Sequence, residues 1–324
     1  MVLPDRRFSY MVLVVMFTLS CRQGTVNDCV VSKEGIQLFL EDVTAAFPRV
    51  RDMAISPDGQ EMMFSVESIR QNMAAIVILS KIDGCWNDPQ VAPFSGRNRD
   101  IEPHYSQDGE TIYFASNRPV SGDTSLVGDY NLLSAKRGEK GWNKETTEVS
   151  GLINTSANEY FPSVSSSGNL YFTAAYDSCV GSEDIYVSKW NGSTYEAPIC
   201  LAGINSTYYE FNAFVDPDEA YMIYTSYGRP NGFGGGDLYI SFSLPGGGWT
   251  EGINLGAEIN SPSLDFCPFV DAEEGILYFT SDRTDVKDYY QDPLDINRLK
   301  EEFNSPSKGV GRFYTATFNP EDFK

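Results

Sequence analysis

The sequence predicts an all-β fold, a β-propeller of five four-stranded blades, and three observations carry that prediction. One phrase, a short polar turn followed by an apolar, aromatic strand, is written five times: SPDGQEMMF (56–64), SQDGETIYF (106–114), SSSGNLYF (165–172), DPDEAYMIY (216–224) and DAEEGILYF (271–279). The copies end 50, 58, 52 and 55 residues apart, a spacing that marks one supersecondary unit repeated along the chain. Aromatic residues make up 13 % of the 324 residues, with 19 Tyr and 20 Phe, types that suit half-buried pleated surfaces. Finally, the fifth copy lacks its last strand, and a short apolar segment stands spare before the first copy.

The third copy shows one module most completely. Residues 160–165 read as the first strand, 166–168 as a turn, 169–173 as the second strand and 184–189 as the third. Asn191-Gly192 is a strong hairpin signal, and the chain then runs through Tyr195 to a fourth strand ending near Leu201. Four antiparallel strands in about 50 residues make one blade. The fourth copy repeats the order at 213–215, 221–225, 237–242 and 253–255. The second does so at 104–105, 111–115, 131–135 and a strand ending near Leu152; the first, at 53–55, 61–66 and 75–79. A Trp stands near the third-strand turn in four copies (Trp86, Trp142, Trp190 and Trp249), and packing between neighbouring blades is its expected role.

The fifth copy has strands at 269–270, 276–280 and 313–317, with a polar insert at 282–309 that includes a short helix near 294–303. Residues 35–40, GIQLFL, resemble Gly252-Ile253-Asn254-Leu255-Gly256 and are placed to supply the missing strand. Docking there would close the circle and leave no open edge. Six blades is the alternative, but residues 22–46 are too few for a complete extra blade.

The N-terminus reads as a targeting segment. Arg6 and Arg7 precede an apolar stretch over residues 10–19 that ends at Ser20-Cys21, the order of a secretory signal; the stretch is too short to span a bilayer comfortably. Thr18-Leu19-Ser20-Cys21 resembles a bacterial lipobox, departing from it at Thr18. The expectation is a signal peptide at 1–20, lipid attachment at Cys21, a linker over 21–34 and a single propeller domain, expected to be monomeric, over 35–324. This implies export across an inner membrane to the periplasm or outer membrane, with the membrane reached only through the anchor. Of the later cysteines Cys29, Cys85, Cys179, Cys200 and Cys267, an odd number, at least one must stay unpaired; Cys179 and Cys200 fall in one repeat and are the first pair to test. Net charge is −21, which leaves no basic footprint for nucleic acid.

The repeats resemble the WD40-like β-propeller repeat of the TolB type, common in bacterial envelope proteins. The resemblance lies in Glu102-Pro103 with residues 106–114 and Ser116-Asn117-Arg118-Pro119. It recurs in Ile204-Asn205 with Glu210, Arg229-Pro230 and Gly234-Gly235-Gly236-Asp237-Leu238-Tyr239. A third instance is Ile259-Asn260 with Asp265, Pro268 and Ser281-Asp282-Arg283. It covers roughly residues 47–324 and implies a propeller that can host many activities. The first copy departs from it, with Val50 where an acid is expected, and the third lacks the Arg-Pro after its second strand.

An acid recurs ahead of the first strand in four copies: Asp100, Glu159, Glu210 and Asp265. Repeat-equivalent carboxylates could ring one mouth of the channel, binding a cation or moving protons, or could instead tie blade to blade by accepting backbone hydrogen bonds. Asp184 and Asp237 precede third strands and are expected to hold their loops by accepting N–H bonds; calcium is the alternative there, although no calcium-loop spacing is present. His104 is the only histidine. No catalytic set is complete, so no cofactor is expected, and the expectation is a non-catalytic envelope platform for a protein or glycan partner. The alternative is a five-bladed glycoside hydrolase or other carbohydrate-active enzyme, which would need two carboxylates placed across a scissile bond.

Overall fold

The computed structural model describes residues 35–119 and 129–324. The signal segment, Cys21, the linker, Cys29 and most of the 119–129 loop lie outside the described residues. Five antiparallel sheets follow one another along the chain. The first four have inner strands Arg49–Ile55, Asp100–Tyr105, Glu159–Val164 and Tyr209–Val215 and proceed outward strand by strand. The outer edge of the first is split into Cys85–Trp86 and Gln90–Val91. The fifth runs from Asp265–Asp271 through Ile276–Ser281 and Arg312–Thr317 to Gln37–Phe39. The inner strands touch their neighbours in cyclic order, the fifth against the first. This is a five-bladed β-propeller.

The N-terminal strand closes the ring. Gln37, Leu38 and Phe39 pair antiparallel with Thr315, Tyr314 and Phe313. The seam is sewn further by the backbone. Val50 N–H donates to the Gly311 carbonyl at 3.2 Å, and buried Arg312 donates to the carbonyls of Phe47, Pro48 and Gly311. A Cβ at Gly311 would lie 2.4 Å from the Val50 oxygen, so this approach needs glycine.

The apolar material lies between blades, one seam to each pair. Ile112, Phe114 and Trp142 of blade two meet Met63, Ile76 and Phe94 of blade one. Tyr224, Tyr239 and Trp249 of blade four meet Tyr171 and Ile185 of blade three. Phe39, Phe313 and Tyr278 meet Phe64 and Leu79 where the ring closes. Trp86, Trp142 and Trp249 are buried as expected, but Trp190 is 38 % exposed; it packs on Tyr195 and Gly168 at the corner of its own blade.

Inner strands are longer than the apolar pattern alone indicates, because each carries a β-bulge that breaks the alternation. The insert after the fifth blade's second strand does hold a helix, Ile296–Phe303, capped by Asp295, which accepts the N–H groups of Asn297 and Arg298. Cys179 and Cys200 form a disulfide with Cα atoms 5.7 Å apart, and Cys267 is a buried free thiol. No helix among the described residues is long and apolar enough to cross a membrane.

Candidate functional site at the axis

The placement of the four repeat-wide acids decides what else can occupy the axis. Asp100, Glu210 and Asp265 sit opposite Ser116, Ser226 and Ser281 across the first strand pair of their blades. Each carboxylate is fully buried. Each accepts from that serine and from an arginine two or three residues beyond it: Arg118, Arg229 and Arg283. The arginine also donates to a carbonyl of the crossover from the preceding blade (Phe94, Ile204 and Ile259) and lies over an aromatic ring. This arrangement makes the repeated serine and the arginine two or three residues beyond it a blade clamp.

Among the described residues Glu159 has no arginine partner. Ala174 stands opposite it, and the hydroxyl of Tyr176 takes the arginine's position, 2.6 Å from the Ile153 carbonyl and 3.0 Å from Glu159. One hydroxyl proton cannot serve both acceptors. Burial pushes Glu159 up to about 7, against the hydrogen bonds from Thr155 and Tyr176. The backbone N–H groups of Glu159, Glu210 and Asp265 donate to the carbonyls of Tyr130, Glu183 and Gly236 on the preceding blade. Asp100, Glu159, Glu210 and Asp265 are not among the residues that line the axial cavity. Asp184 and Asp237 hold their loops as expected, accepting from Gly181 N–H at 2.9 Å and Phe233 N–H at 2.7 Å.

The axis belongs to the residues two positions further on. Asp52, Glu102, Phe161, Asn212 and Cys267 occupy the same place in the five inner strands, and all have positive φ, between 47° and 62°. Pairing slips across each of them, as between Ile101 and His104. A left-handed non-glycine residue costs of order 1 kcal/mol or more and persists where its surroundings over-determine it; a bulge re-aims its side chain. The freed N–H groups explain how this is held. Those of Asp52, Glu102 and Asn212 donate to hydroxyls on the preceding blade, Thr280, Ser65 and Thr173. Blade two carries Ala115 at that position, and Phe161 N–H donates to the Glu102 carboxylate instead, at 2.8 Å.

The polar side chains among them, with Arg51, form one network. Arg51 Nε lies 2.6 Å from Asp52 and its terminal nitrogen 2.7 Å from Glu102. Cys267 Sγ donates to Asp52 at 2.6 Å. Burial pushes Glu102 up to about 8, opposed by Arg51, and pushes the Cys267 thiol well above its ordinary value.

Above the network, where the inner strands begin, opens a cavity of about 380 Å³. Tyr130, Tyr160, Phe211 and Phe266 wall it, and Arg49, Arg51, Arg99 and Glu183 bring charge. The arginines are matched: Arg99 pairs with Glu67 at 2.8 Å and Arg49 with Asp282 at 3.0 Å. Outside the rim of blade four lie exposed Tyr208, Tyr209, Tyr227 and Phe233. Among the described residues no group of three or more His, Cys, Asp or Glu is arranged to hold a metal ion.

Sequence reasoning missed the bulge ring. Its signal was present: a polar residue interrupting an apolar strand, just before Met53, Pro103 or Ala213.

The chain matches no protein-family model and no curated protein. Among solved structures it is similar to a putative TolB from Agrobacterium tumefaciens, at 15 % identity and a TM-score of 0.47, over 84 % of this chain and 91 % of that one. An α-L-arabinofuranosidase from Lactobacillus brevis shares 14 % identity at a TM-score of 0.46, over 84 % and 93 %. A Mycobacterium tuberculosis puromycin-hydrolyzing peptidase shares 12 % identity at a TM-score of 0.43, over 82 % of this chain but only 42 % of that one. At these values the likeness carries no functional argument.

Proposed function

We propose that the chain is a non-catalytic binding propeller of the cell envelope whose ligand, a glycan, seats in the axial mouth. One observation carries this reading: Glu102, which lines the axial cavity, and Asp52 beneath it both lie against a single guanidinium, that of Arg51. Glycoside hydrolysis needs two carboxylates about 5–10 Å apart with the bond between them; Arg51 fills the space between Glu102 and Asp52, and Glu183 is the other carboxylate of the cavity lining. What remains open is a cavity of ligand size with aromatic walls and a few charged groups, the usual make-up of a binding pocket. Flat rings offer a sugar's apolar faces a surface, while arginine and carboxylate offer its hydroxyls partners. The exposed tyrosines of blade four extend that surface for a longer chain.

The test is calorimetric titration with cell-wall and envelope oligosaccharides, alongside an assay for released reducing ends. Binding without turnover, weakened about tenfold by Tyr160→Ala or Phe211→Ala, is expected. Turnover abolished by Glu102→Gln would replace the platform with a hydrolase. The envelope location rests on the N-terminal sequence: Cys21→Ser should move the protein out of the membrane fraction, and an unchanged distribution would refute the anchor.

A further inference from the structure

The opposite end of the axis holds a second cavity, of about 410 Å³, that shares no lining residue with the first. His104, Phe214 and Phe269 line it, each two residues past its blade's bulge, and Tyr221 adds a further aromatic face. His104 is 8 % exposed, and its Nε2 has no partner among the described residues. The imidazole lies near the backbone of Val164; with its proton on Nδ1, Nε2 is left as an acceptor with a free lone pair. Burial drives His104 down to about 4, so the ring is neutral at physiological pH. A buried acceptor without a donor is costly, and a ligand that supplies an N–H would relieve it. The rim carries Asp58, Asp271, Glu273 and Glu274 against the single cation Lys81. Acceptor at the base, aromatic faces on the wall and carboxylates at the rim together describe a receptor for a cation.

We propose that this lower mouth binds a basic side chain, arginine or lysine, presented by a partner protein's peptide segment. The guanidinium or ammonium would donate to His104 Nε2, its stem would lie against Phe214 and Phe269, and the acidic rim would select positive charge. The inference does not depend on the ligand of the upper mouth.

The experiment is titration of the full chain, at low ionic strength, with capped tripeptides carrying arginine, lysine, citrulline or norleucine at the centre. Arginine or lysine should bind about tenfold tighter than citrulline and norleucine. Glu273→Lys combined with Glu274→Lys should remove that preference, and His104→Phe should weaken binding while leaving the circular dichroism spectrum intact. Tyr289→Ala, at an exposed position outside both cavities, should leave peptide binding unchanged. Equal binding of arginine and citrulline, absence of binding, or indifference to the rim reversal would overturn the proposal. Should His104→Phe not fold, the rim variant and the citrulline comparison still decide.

Discussion

Blades four and three face the same packing problem with different residues. At the head of blade four's inner strand, Glu210 is met by Ser226 and Arg229, so its charge is matched where it is buried. At the same place in blade three, Glu159 meets Ala174 and Tyr176, and burial raises it to about 7. Blade one takes a third course: Val50 stands opposite Val66, with no acid at all. The comparison teaches that the acid is not needed for a blade to form. Once an acid is there, what decides its cost is whether a cation comes with it.

Three measurements can break or sharpen that comparison. The largest effect is expected from Glu210→Ala, which leaves the Arg229 guanidinium buried without its carboxylate. Removing one partner of a buried pair costs roughly 3–5 kcal/mol, read as a lower urea midpoint with unchanged slope. A loss under about 1 kcal/mol would mean that the clamp behaves as a surface ion pair.

Next is the pH dependence of Glu159. Its folded pKa, about 7, lies above the ordinary value of 4.5, so the folded state keeps a proton that the unfolded state releases. Stability from this group is therefore unaffected below pH 4.5, falls as pH rises toward 7, and stays reduced above it. Glu159→Gln should remove that fall. Relative to the parent it should gain about 2 kcal/mol between pH 5 and pH 8. Equal pH profiles for parent and variant would show Glu159 ionised throughout.

The smallest effect is expected when blade four is given blade one's solution. Glu210→Val with Ser226→Val and Arg229→Ser removes acid and cation together, and replacing a whole buried pair by apolar groups is often close to neutral, within about 1–2 kcal/mol. If the triple variant loses as much as Glu210→Ala, the clamp contributes geometry that apolar packing cannot supply.

Much of the fold was legible because the repeat is written in short-range chemistry. Turn residues, Asn191-Gly192 and aromatic second strands mark each blade locally. The spare segment at 35–40 could be matched to a gap in the fifth copy, and Gln37–Phe39 fills it. The acids Asp100, Glu210 and Asp265 were legible as repeat positions but not as clamps, since their arginine partners are 18 or 19 residues away. The absence of Arg-Pro from the third copy was visible in the sequence; that it leaves Glu159 without a cation shows only in the packed blade.

The sequence by itself determined the number of modules, their order and the segment that closes them, because strand period and turn chemistry act over a few residues. Only the tertiary structure decided what faces the axis. Asp52, Glu102, Phe161, Asn212 and Cys267 are unlike one another and far apart in the chain. They meet because a bulge turns each of them inward and the closed ring sets them side by side. The same closure leaves His104 Nε2 beneath them without a partner among the described residues, a property that only the packed neighbours of a side chain can set.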